Sequence, residues 1–180
     1  MTSSDSLTGF VLREATPSDA ARLAEFGART FRETFAADNS PEDMERHLAS
    51  AWSPPLQRRE IDDPDIDTLI LENGAGEWLA FAQLRANQVS DGVPAQGSIE
   101  LWRFYVDAPW QGRGVAGALM QAAKDRGRRR GASTMWLGVW ERNARAQAFY
   151  RKHGFGRVGR KVFVVGGDPQ TDDVMLCALA

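Results

Sequence analysis

The sequence predicts a mixed α/β domain, and three observations support this class. The chain has 180 residues with 43% hydrophobic and 26% charged residues, which suits one globular domain. Apolar residues recur at helical spacing in the first third of the chain. From Thr68 onward, short apolar runs bounded by Gly and Pro dominate instead. We therefore expect one domain over residues 10–180, preceded by a flexible segment at 1–9.

The first elements are a strand at Phe10–Ala15 and two amphipathic helices. Thr16 and Ser40 each precede a proline and acidic residues. This combination marks a helix start, because the hydroxyl caps free N–H groups and proline suits the first turn. A short third helix is expected between Pro54 and Pro64. The apolar faces of the first two helices consist of Leu23, Phe26, Phe31 and Phe35, and of Met44, Leu48 and Trp52.

Strands and helices alternate in the rest of the chain. Asn73-Gly74-Ala75-Gly76 is typical of a hairpin turn between two strands. In total we expect about seven strands and four main helices. The later strands are predicted at 68–72, 78–84, 98–106, 134–139, 158–165 and 173–178, and the later helices at 112–130 and 144–152.

Charge and composition narrow the possible partners. The net charge is −2, whereas nucleic-acid-binding domains are usually basic. The start of the chain lacks a signal-peptide core, and no run approaches the roughly 20 apolar residues of a membrane span. Cys177 has no partner for a disulfide and is expected in the core. We expect a cytoplasmic protein that binds neither nucleic acid nor membrane; a homodimer is left open. His47 and His153 lack metal-ligand spacing, so no metal is predicted.

The segment Gln111–Gly117 predicts a phosphate-binding loop. It follows a strand and opens a helix, where unpaired N–H groups and the helix dipole attract an anion. Gly112, Gly114 and Gly117 allow the backbone to approach a pyrophosphate, and Arg113 can add a charge-assisted contact.

The same three glycines also spell the dinucleotide-binding pattern G-x-G-x-x-G. Two features argue against that site: Asp107–Gln111 separate the loop from its strand, and too little chain follows for a multi-strand parallel domain. A glycine-rich helix start without any ligand is a third interpretation.

Two segments together resemble the GNAT superfamily of N-acetyltransferases. Gln111-x-x-Gly114-x-Ala116 is similar to its Q/R-x-x-G-x-G/A signature. Asn143 to Phe155 is similar to its N-x-x-A-x-x-F-Y-x-x-x-G-F segment, with Ala148 beside the signature alanine. The resemblance implies a GNAT fold with acetyl-CoA as cosubstrate. It implies that the loop holds the pyrophosphate and that the preceding strand pairs with the pantetheine arm. The implied contacts are Phe104, Tyr105, Val106, Gln111, Gly112, Arg113, Gly114, Val115, Ala116, Gly117, Asn143 and Tyr150.

Other segments resemble the PaiA-type spermine/spermidine acetyltransferases within this superfamily. They are Phe31–Phe35, Asn39–Met44, Leu137–Glu141 and Gly167–Asp172. This resemblance implies a small-molecule primary amine as acceptor, with a polyamine such as spermidine or spermine first. Acetylation of a protein N-terminus or lysine, a non-catalytic acyl-CoA-binding module and a nucleotide-binding oxidoreductase are the alternatives.

The chemistry needs groups that move protons, because an alkylamine is mostly protonated at neutral pH. Many GNAT enzymes carry a glutamate at the position of Glu100, so Glu100 is the predicted base, directly or through water. Tyr150 is the predicted general acid for the departing sulfur. A salt-bridged glutamate, a core tyrosine and a helix-capping Asn143 are the competing structural roles. Phe31, Phe35, Trp52 and Trp102 are candidate walls for the amine, with a role in the core as the alternative. The acidic stretches at 38–45 and 60–67 are candidate attractors of a polycation.

Overall fold

The computed structural model describes residues 9–179, so the expected flexible segment lies outside the described residues except for Gly9. Seven strands and five α-helices are present in this range. The strands are β1 Phe10–Glu14, β2 Ile66–Asn73, β3 Trp78–Arg85, β4 Ser98–Val106, β5 Thr134–Trp140, β6 Gly156–Val165 and β7 Asp168–Ala178. The helices are α1 Ala20–Phe35, α2 Pro41–Ala51, α3 Pro54–Asp62, α4 Val115–Arg129 and α5 Ala144–Lys152.

The strands form one sheet in the order β1-β2-β3-β4-β5-β7-β6. Every neighbouring pair is antiparallel except β4 and β5, which are parallel. The predicted mixed α/β fold with seven strands is therefore confirmed. The four main helices are present as α1, α2, α4 and α5, and the expected short third helix forms as the nine-residue α3 with Ser53 as its cap.

Two helix starts show why sequence and structure agree or differ. The Ser40 hydroxyl accepts a hydrogen bond from the Asp43 backbone N–H at 3.1 Å, so α2 begins as predicted. Helix α4 begins at Val115 and not at Gly112. Gly112 and Gly114 have positive φ angles of 76° and 84°, a left-handed conformation that an α-helix does not contain. The first glycines of the predicted helix therefore form a turn in front of it.

The sheet separates two apolar layers. One face packs against α4 and α5, with Leu119, Leu137 and Met175 fully buried. The other face packs against α1 and α2, with Leu23, Phe26 and Phe81 in its core. Cys177 belongs to the first layer and is buried, as expected. We call these the α4 face and the α1 face.

The sheet opens at its centre. Strands β4 and β5 pair over three positions, from Ser98–Thr134 to Glu100–Trp136. Both strands continue beyond this point, β4 to Val106 and β5 to Trp140, without further pairing between them among the described residues. The result is a wedge between two adjacent strands, with exposed backbone N–H and C=O groups along its sides.

A β-bulge at Trp102 changes which face each side chain of β4 occupies. Gln83 pairs with Arg103 and Leu84 with Leu101, so Trp102 is the extra residue. Before the bulge, Leu101 packs on the α4 face. After it, Phe104 packs on the α4 face and Tyr105 on the α1 face. Strict alternation from Leu101 would have given the opposite arrangement.

Candidate active site

A cavity of about 1140 Å³ occupies the wedge and extends to both faces of the sheet. It connects the loop before α4, the free sides of β4 and β5, α5, and the ends of α1 and α2. Most of the predicted site residues line this one space. They are Phe31, Phe35, Glu100, Trp102, Phe104, Tyr105, Val106, Gln111, Gly112, Gly114, Ala116, Gly117, Asn143 and Tyr150.

The loop before α4 has the geometry of an anion cradle. A Cβ atom built on Gly112, Gly114 or Gly117 would meet no neighbouring atom within 4 Å, so the backbone there borders open space. Gly114 caps the 15-residue α4 without a side-chain hydrogen bond, which leaves the first N–H groups available. The Gln111 side-chain amide donates to the Val106 carbonyl at 3.2 Å and ties the loop to the end of β4. These features fit a pyrophosphate.

The side chains of two predicted cofactor contacts, Arg113 and Val115, do not line the cavity. The Arg113 guanidinium is 5.5 Å from the centre of the Trp110 ring and does not line the cavity. The Val115 side chain is fully buried in the core of the α4 face, so its backbone N–H is the part that can serve a ligand. Arg113 stays a predicted phosphate contact.

The backbone of β4 offers a second ligand surface. Residues Phe104, Tyr105 and Val106 pair with β3 on one side only, because β5 has separated from β4 at this point. Their other side borders the cavity. An extended ligand with amide groups, such as a pantetheine arm, matches the hydrogen-bonding needs of such an edge.

Tyr150 projects from α5 into an aromatic cluster at the wedge. Its ring lies 6.3 Å from Phe104 and 5.8 Å from Phe155, both in edge-to-face orientation. It packs on the α4 core and also lines the cavity. Burial raises the pKa of the Tyr150 hydroxyl above its ordinary value, so the phenol is protonated at neutral pH.

Asn143 caps α5, which is the structural alternative to ligand binding that the sequence left open. Its side-chain oxygen accepts a hydrogen bond from the Ala146 backbone N–H at 3.1 Å and caps α5. The residue also lines the cavity. A cap uses the carboxamide oxygen alone, so the NH2 group remains compatible with a ligand carbonyl.

Glu100 lies on β4 within a buried ion-pair cluster. Arg85 donates to its Oε2 atom through Nε at 2.9 Å and Nη2 at 2.6 Å. Lys161 from β6 lies 3.4 Å from its Oε1 atom. The carboxylate is 1% exposed, and each oxygen has a cationic partner. Both carboxylate oxygens of Glu100 are therefore already hydrogen-bonded to cationic side chains.

The half of the cavity on the α1 face is rich in aromatic rings. His47 stacks on Phe31 with ring centres 4.3 Å apart, and Phe35 meets Trp140 edge-on at 6.2 Å. Burial lowers the pKa of His47, which favours the neutral ring at neutral pH. The predicted walls Phe31, Phe35, Trp52 and Trp102 all lie here. Sequence reasoning missed three of its rings, which are His47, Trp140 and Phe163.

Trp102, the bulged residue, is held between two guanidinium groups. Arg85 lies 3.9 Å and Arg103 lies 3.8 Å from the centre of its ring. Arg103 is itself buried and pairs with Glu60 at 2.6 Å. These stacked and paired contacts fix one wall of the cavity.

The two acidic stretches do not contact the cavity, so their attraction of a polycation stays a prediction. Their carboxylates are largely engaged with nearby cations and lie outside the cavity lining in the described range. The pairs are Glu42–Arg46, Glu45–Arg32, Asp62–Arg58, Glu60–Arg103 and Asp67–Arg130.

Asp172 is a cavity residue that sequence reasoning did not select. It lies on β7, is 7% exposed, and lines the aromatic half of the cavity. Burial raises the pKa of its carboxyl to about 6, the charge of Lys161 opposes this shift, and Asp173 adds to it. Sequence reasoning began the last strand at Asp173, so Asp172 fell outside it. The available signal was the pair of adjacent acids ahead of a buried apolar run.

Two absences apply to residues 9–179. No group of three or more His, Cys, Asp or Glu side chains in this range is arranged to hold a metal ion. No helix in the same range combines the length and apolarity needed to cross a membrane.

Comparisons with known proteins agree with this geometry. The family model described as "Acetyltransferase (GNAT) family" matches residues 29–155. The "uncharacterized N-acetyltransferase in pepI 3'region" of Lactobacillus delbrueckii subsp. lactis is 32% identical over 96% of this chain and 99% of its own length. The PaiA N-acetyltransferase of Thermoplasma acidophilum, solved in complex with coenzyme A, has a TM-score of 0.75 at 19% identity. The matched region covers 95% of this chain and 99% of that protein. A chimera of the spermidine N-acetyltransferase SpeG from Vibrio cholerae and hSSAT has a TM-score of 0.71 at 19% identity, covering 96% of both chains.

Proposed function

The chain belongs to the acetyltransferase (GNAT) family, and from this premise we propose that it acetylates a primary amine of a small molecule, with a polyamine such as spermidine or spermine as the first candidate. Family membership makes it an acetyl-CoA-dependent N-acetyltransferase. The oxidoreductase and non-catalytic alternatives are therefore set aside. The same proposal places the chain among the PaiA-type enzymes, which fits its choice of acceptor.

One observation carries the proposal: the phosphate-binding loop and the aromatic half open into the same cavity. A thioester in the wedge and an amine among the aromatic rings would meet where β4 and β5 separate. This arrangement favours direct transfer within a ternary complex, because both reactants are held at once and the entropy of their encounter is lost on binding.

The aromatic half favours an amine with a hydrocarbon body. Rings such as Phe31, Phe35 and Trp140 can cover methylene groups and attract an ammonium through their faces. Asp172 provides a carboxylate within the same walls, and Glu33 provides another at the cavity lining. The cations Arg85 and Lys161 are both paired with Glu100, which reduces their repulsion of a positive ligand.

In this proposal one set of residues binds acetyl-CoA and another transfers protons during the reaction. Bound acetyl-CoA supplies the thioester. The loop from Gln111 to Gly117 binds the pyrophosphate, and the free edge of Phe104–Val106 binds the pantetheine arm. Tyr150 is the general acid, and Glu100 stays the base predicted from the resemblance. One domain, residues 10–180, carries the whole reaction.

Thiol release from acetyl-CoA across a panel of acceptors tests the proposal. The panel contains spermidine, spermine, a short peptide with a free N-terminus and a peptide whose lysine is its sole free amine. Diacetylated spermine is the matched control, because it keeps the chain but has no primary amine. Release with spermidine or spermine, and none with the control, is expected. Thiol release with the peptides alone would replace the polyamine by a protein acceptor. If none of the amines in the panel led to thiol release, the proposal would be overturned.

A further inference from the structure

We propose that Asp172 is the catalytic residue that binds the acceptor's ammonium group and takes its first proton, and that Lys161 positions it. The inference rests on the proposed amine acetylation and gives Asp172 the role of base that the resemblance assigned to Glu100, whose two oxygens are paired with Arg85 and Lys161. It concerns the C-terminal hairpin of β6 and β7, which lies beyond the segment that matches the family model.

Strand pairing places Asp172 at the floor of the aromatic half. It pairs with Trp140 on β5 and with Lys161 on β6. Directly opposed residues of antiparallel strands project to the same face of the sheet, so these three side chains stand in one row. All three line the cavity.

Gly138 on β5 leaves the space that this row occupies. A Cβ atom at Gly138 would lie 3.1 Å from Asp172 Oδ2 and 2.9 Å from Lys161 Nζ. The carboxylate and the ammonium therefore approach the same point above the strand. They do not form a direct ion pair within 4.0 Å, since the ion pair of Lys161 is with Glu100.

Asp172 differs from Glu100 in what its oxygens contact. Glu100 has Arg85 on one oxygen and Lys161 on the other. Asp172 has neither a hydrogen bond nor an ion pair within residues 9–179, although it is 7% exposed. Its oxygens are not among the fully enclosed polar atoms, so they are accessible from the cavity. A largely desolvated carboxylate in such a place is stabilised by a ligand that brings a hydrogen-bonding partner. An ammonium group fits this need, because it brings the opposite charge and three N–H donors.

The surroundings of Asp172 also suit proton transfer. Burial raises the pKa of Asp172 to about 6, which makes it a stronger base than an exposed aspartate while it is still ionised at neutral pH. The Tyr105 side chain lies on the same face, and burial raises its pKa to about 12, with a further contribution from the charge of Asp172. The phenol of Tyr105 is thus protonated and uncharged beside the carboxylate.

The Asp172 carboxylate takes one proton from the substrate ammonium and leaves a neutral amine. The amine nitrogen attacks the thioester carbonyl carbon, a C–N bond forms, and the C–S bond breaks. The sulfur receives a proton from the Tyr150 hydroxyl. The nitrogen of the new amide gives one of its two protons to the Tyr150 oxygen and so restores the phenol. Asp172 then releases its proton to solvent, so each turnover yields one amide, one thiol and one proton.

Other charged and titratable groups share the cavity and must be separated from Asp172 in a pH profile. His47 is the main competitor, because its pKa is lowered from 6.5 by burial. Asp173 and Lys161 act on Asp172 through their charges. The remaining groups that line the same space are Glu33 from α1, Arg85 from β3, Glu100, Arg103 and Tyr105 from β4, Arg145, Tyr150 and Lys152 from α5, and His153.

The test is the pH dependence of kcat/KM for the best amine of the panel, measured for four proteins. The wild type should lose activity as the pH falls through about 6. Asp172→Asn should lower kcat/KM by about 100-fold or more and remove this acidic limb. Glu100→Gln should keep the limb. Asp173→Asn is the matched control; it should keep the activity and move the limb to lower pH, because the charge of Asp173 raises the pKa of Asp172.

A second variant keeps the inference testable if Asp172→Asn does not fold. Lys161→Met should move the acidic limb to higher pH, because the charge of Lys161 lowers the pKa of Asp172. An Asp172→Asn enzyme with an unchanged limb, or a Lys161→Met enzyme whose limb does not move, would overturn the inference. A limb lost in Glu100→Gln and kept in Asp172→Asn would assign the base to Glu100. A wild type that releases no thiol with any amine would refute the proposed function instead.

Discussion

Glu100 on β4 and Trp136 on β5 form the last ladder pair before these two parallel strands separate. Most of the predicted site residues line the cavity that opens at this point. The phosphate-binding loop follows the far end of β4, and α5 follows β5. The C-terminal hairpin adds Lys161 beside Glu100 itself. The divergence of two strands thus explains why one cavity can hold both substrates.

Removal of the Tyr150 hydroxyl tests its role at the sulfur. Tyr150→Phe should lower kcat by about 100-fold, the lower end of what general acids contribute, and leave coenzyme A binding unchanged. Burial raises the pKa of the phenol, so full transfer to a thiolate is uphill unless the new amide nitrogen replaces the proton in the same step. Tyr105→Phe is the natural control, since these are the two tyrosines of the chain and Tyr105 packs on the α1 face. Its kcat should fall less. Equal losses of turnover and coenzyme A affinity in Tyr150→Phe would instead assign a packing role.

The phosphate loop predicts a selective effect on the donor. Gly114→Val should raise the KM for acetyl-CoA by about tenfold or more, because the side chain strains a residue with φ of 84° and projects into the open cradle. Gly131→Val is the matched control at the other end of α4, where φ is 78° and the space is also open. Both variants should lose a similar amount of thermal stability, about 1–2 kcal/mol. An equal change of KM in the two would contradict the phosphate-loop assignment.

The buried carboxyl of Asp172 predicts a stability gain on its removal. Its pKa is raised from 3.8 to about 6 in the folded protein. The contribution of the protonated carboxyl to the free energy of unfolding is therefore fully present below pH 3.8 and is lost as the pH rises through about 6. Asn stays neutral, so Asp172→Asn should increase the free energy of unfolding by roughly 2 kcal/mol at neutral pH and not at about pH 4. Urea denaturation at both pH values measures this.

Asp173→Asn provides the comparison for that stability measurement. It removes the ion pairs of Asp173 with Arg157 and Arg160, and so should not stabilise the protein at neutral pH. A destabilised Asp172→Asn at neutral pH would mean that the carboxylate has a structural partner, and the gain would then be refuted.

The small residue beneath Asp172 predicts an effect on the acceptor. Gly138→Ala places a methyl group close to Asp172 Oδ2 and Lys161 Nζ, so one of them must move. We expect kcat/KM for the amine to fall by about tenfold or more, while the KM for acetyl-CoA stays within a factor of two. Gly156→Ala on β6 is the control, because its added methyl meets no atom within 4 Å. An unchanged kcat/KM for Gly138→Ala would show that this space is not needed.

The elements with strong local signals were predictable from the sequence. Strand β4 and helix α5 have the bounds that apolar patterning gave them. The start of α4 was wrong by three residues, because the conformation of Gly112 and Gly114 depends on the turn and not on propensity. The donor side of the predicted site depends on the loop and on α5, each of which is one continuous segment, so motif spacing was enough to predict it.

The acceptor side depends on contacts between distant segments, which spacing does not reveal. The bulge at Trp102 decides the face of Tyr105 and leaves no mark in the composition of β4. His47 and Phe163 meet across 116 positions of the chain at a ring distance of 5.7 Å. The ion pairs of Glu100 join β3, β4 and β6. Such juxtapositions arise from the tertiary fold alone.

The two halves of the cavity take residues from different parts of the chain. Lys161, Phe163 and Asp172 reach the amine half of the cavity from β6 and β7, whereas the donor loop and Tyr150 precede Phe155, where the family match ends. Substitutions in the hairpin can therefore alter the choice of amine while the machinery that handles coenzyme A is inherited intact. We therefore expect that exchange of residues 156–179 with those of a relative changes the amine that is accepted and leaves coenzyme A binding unchanged.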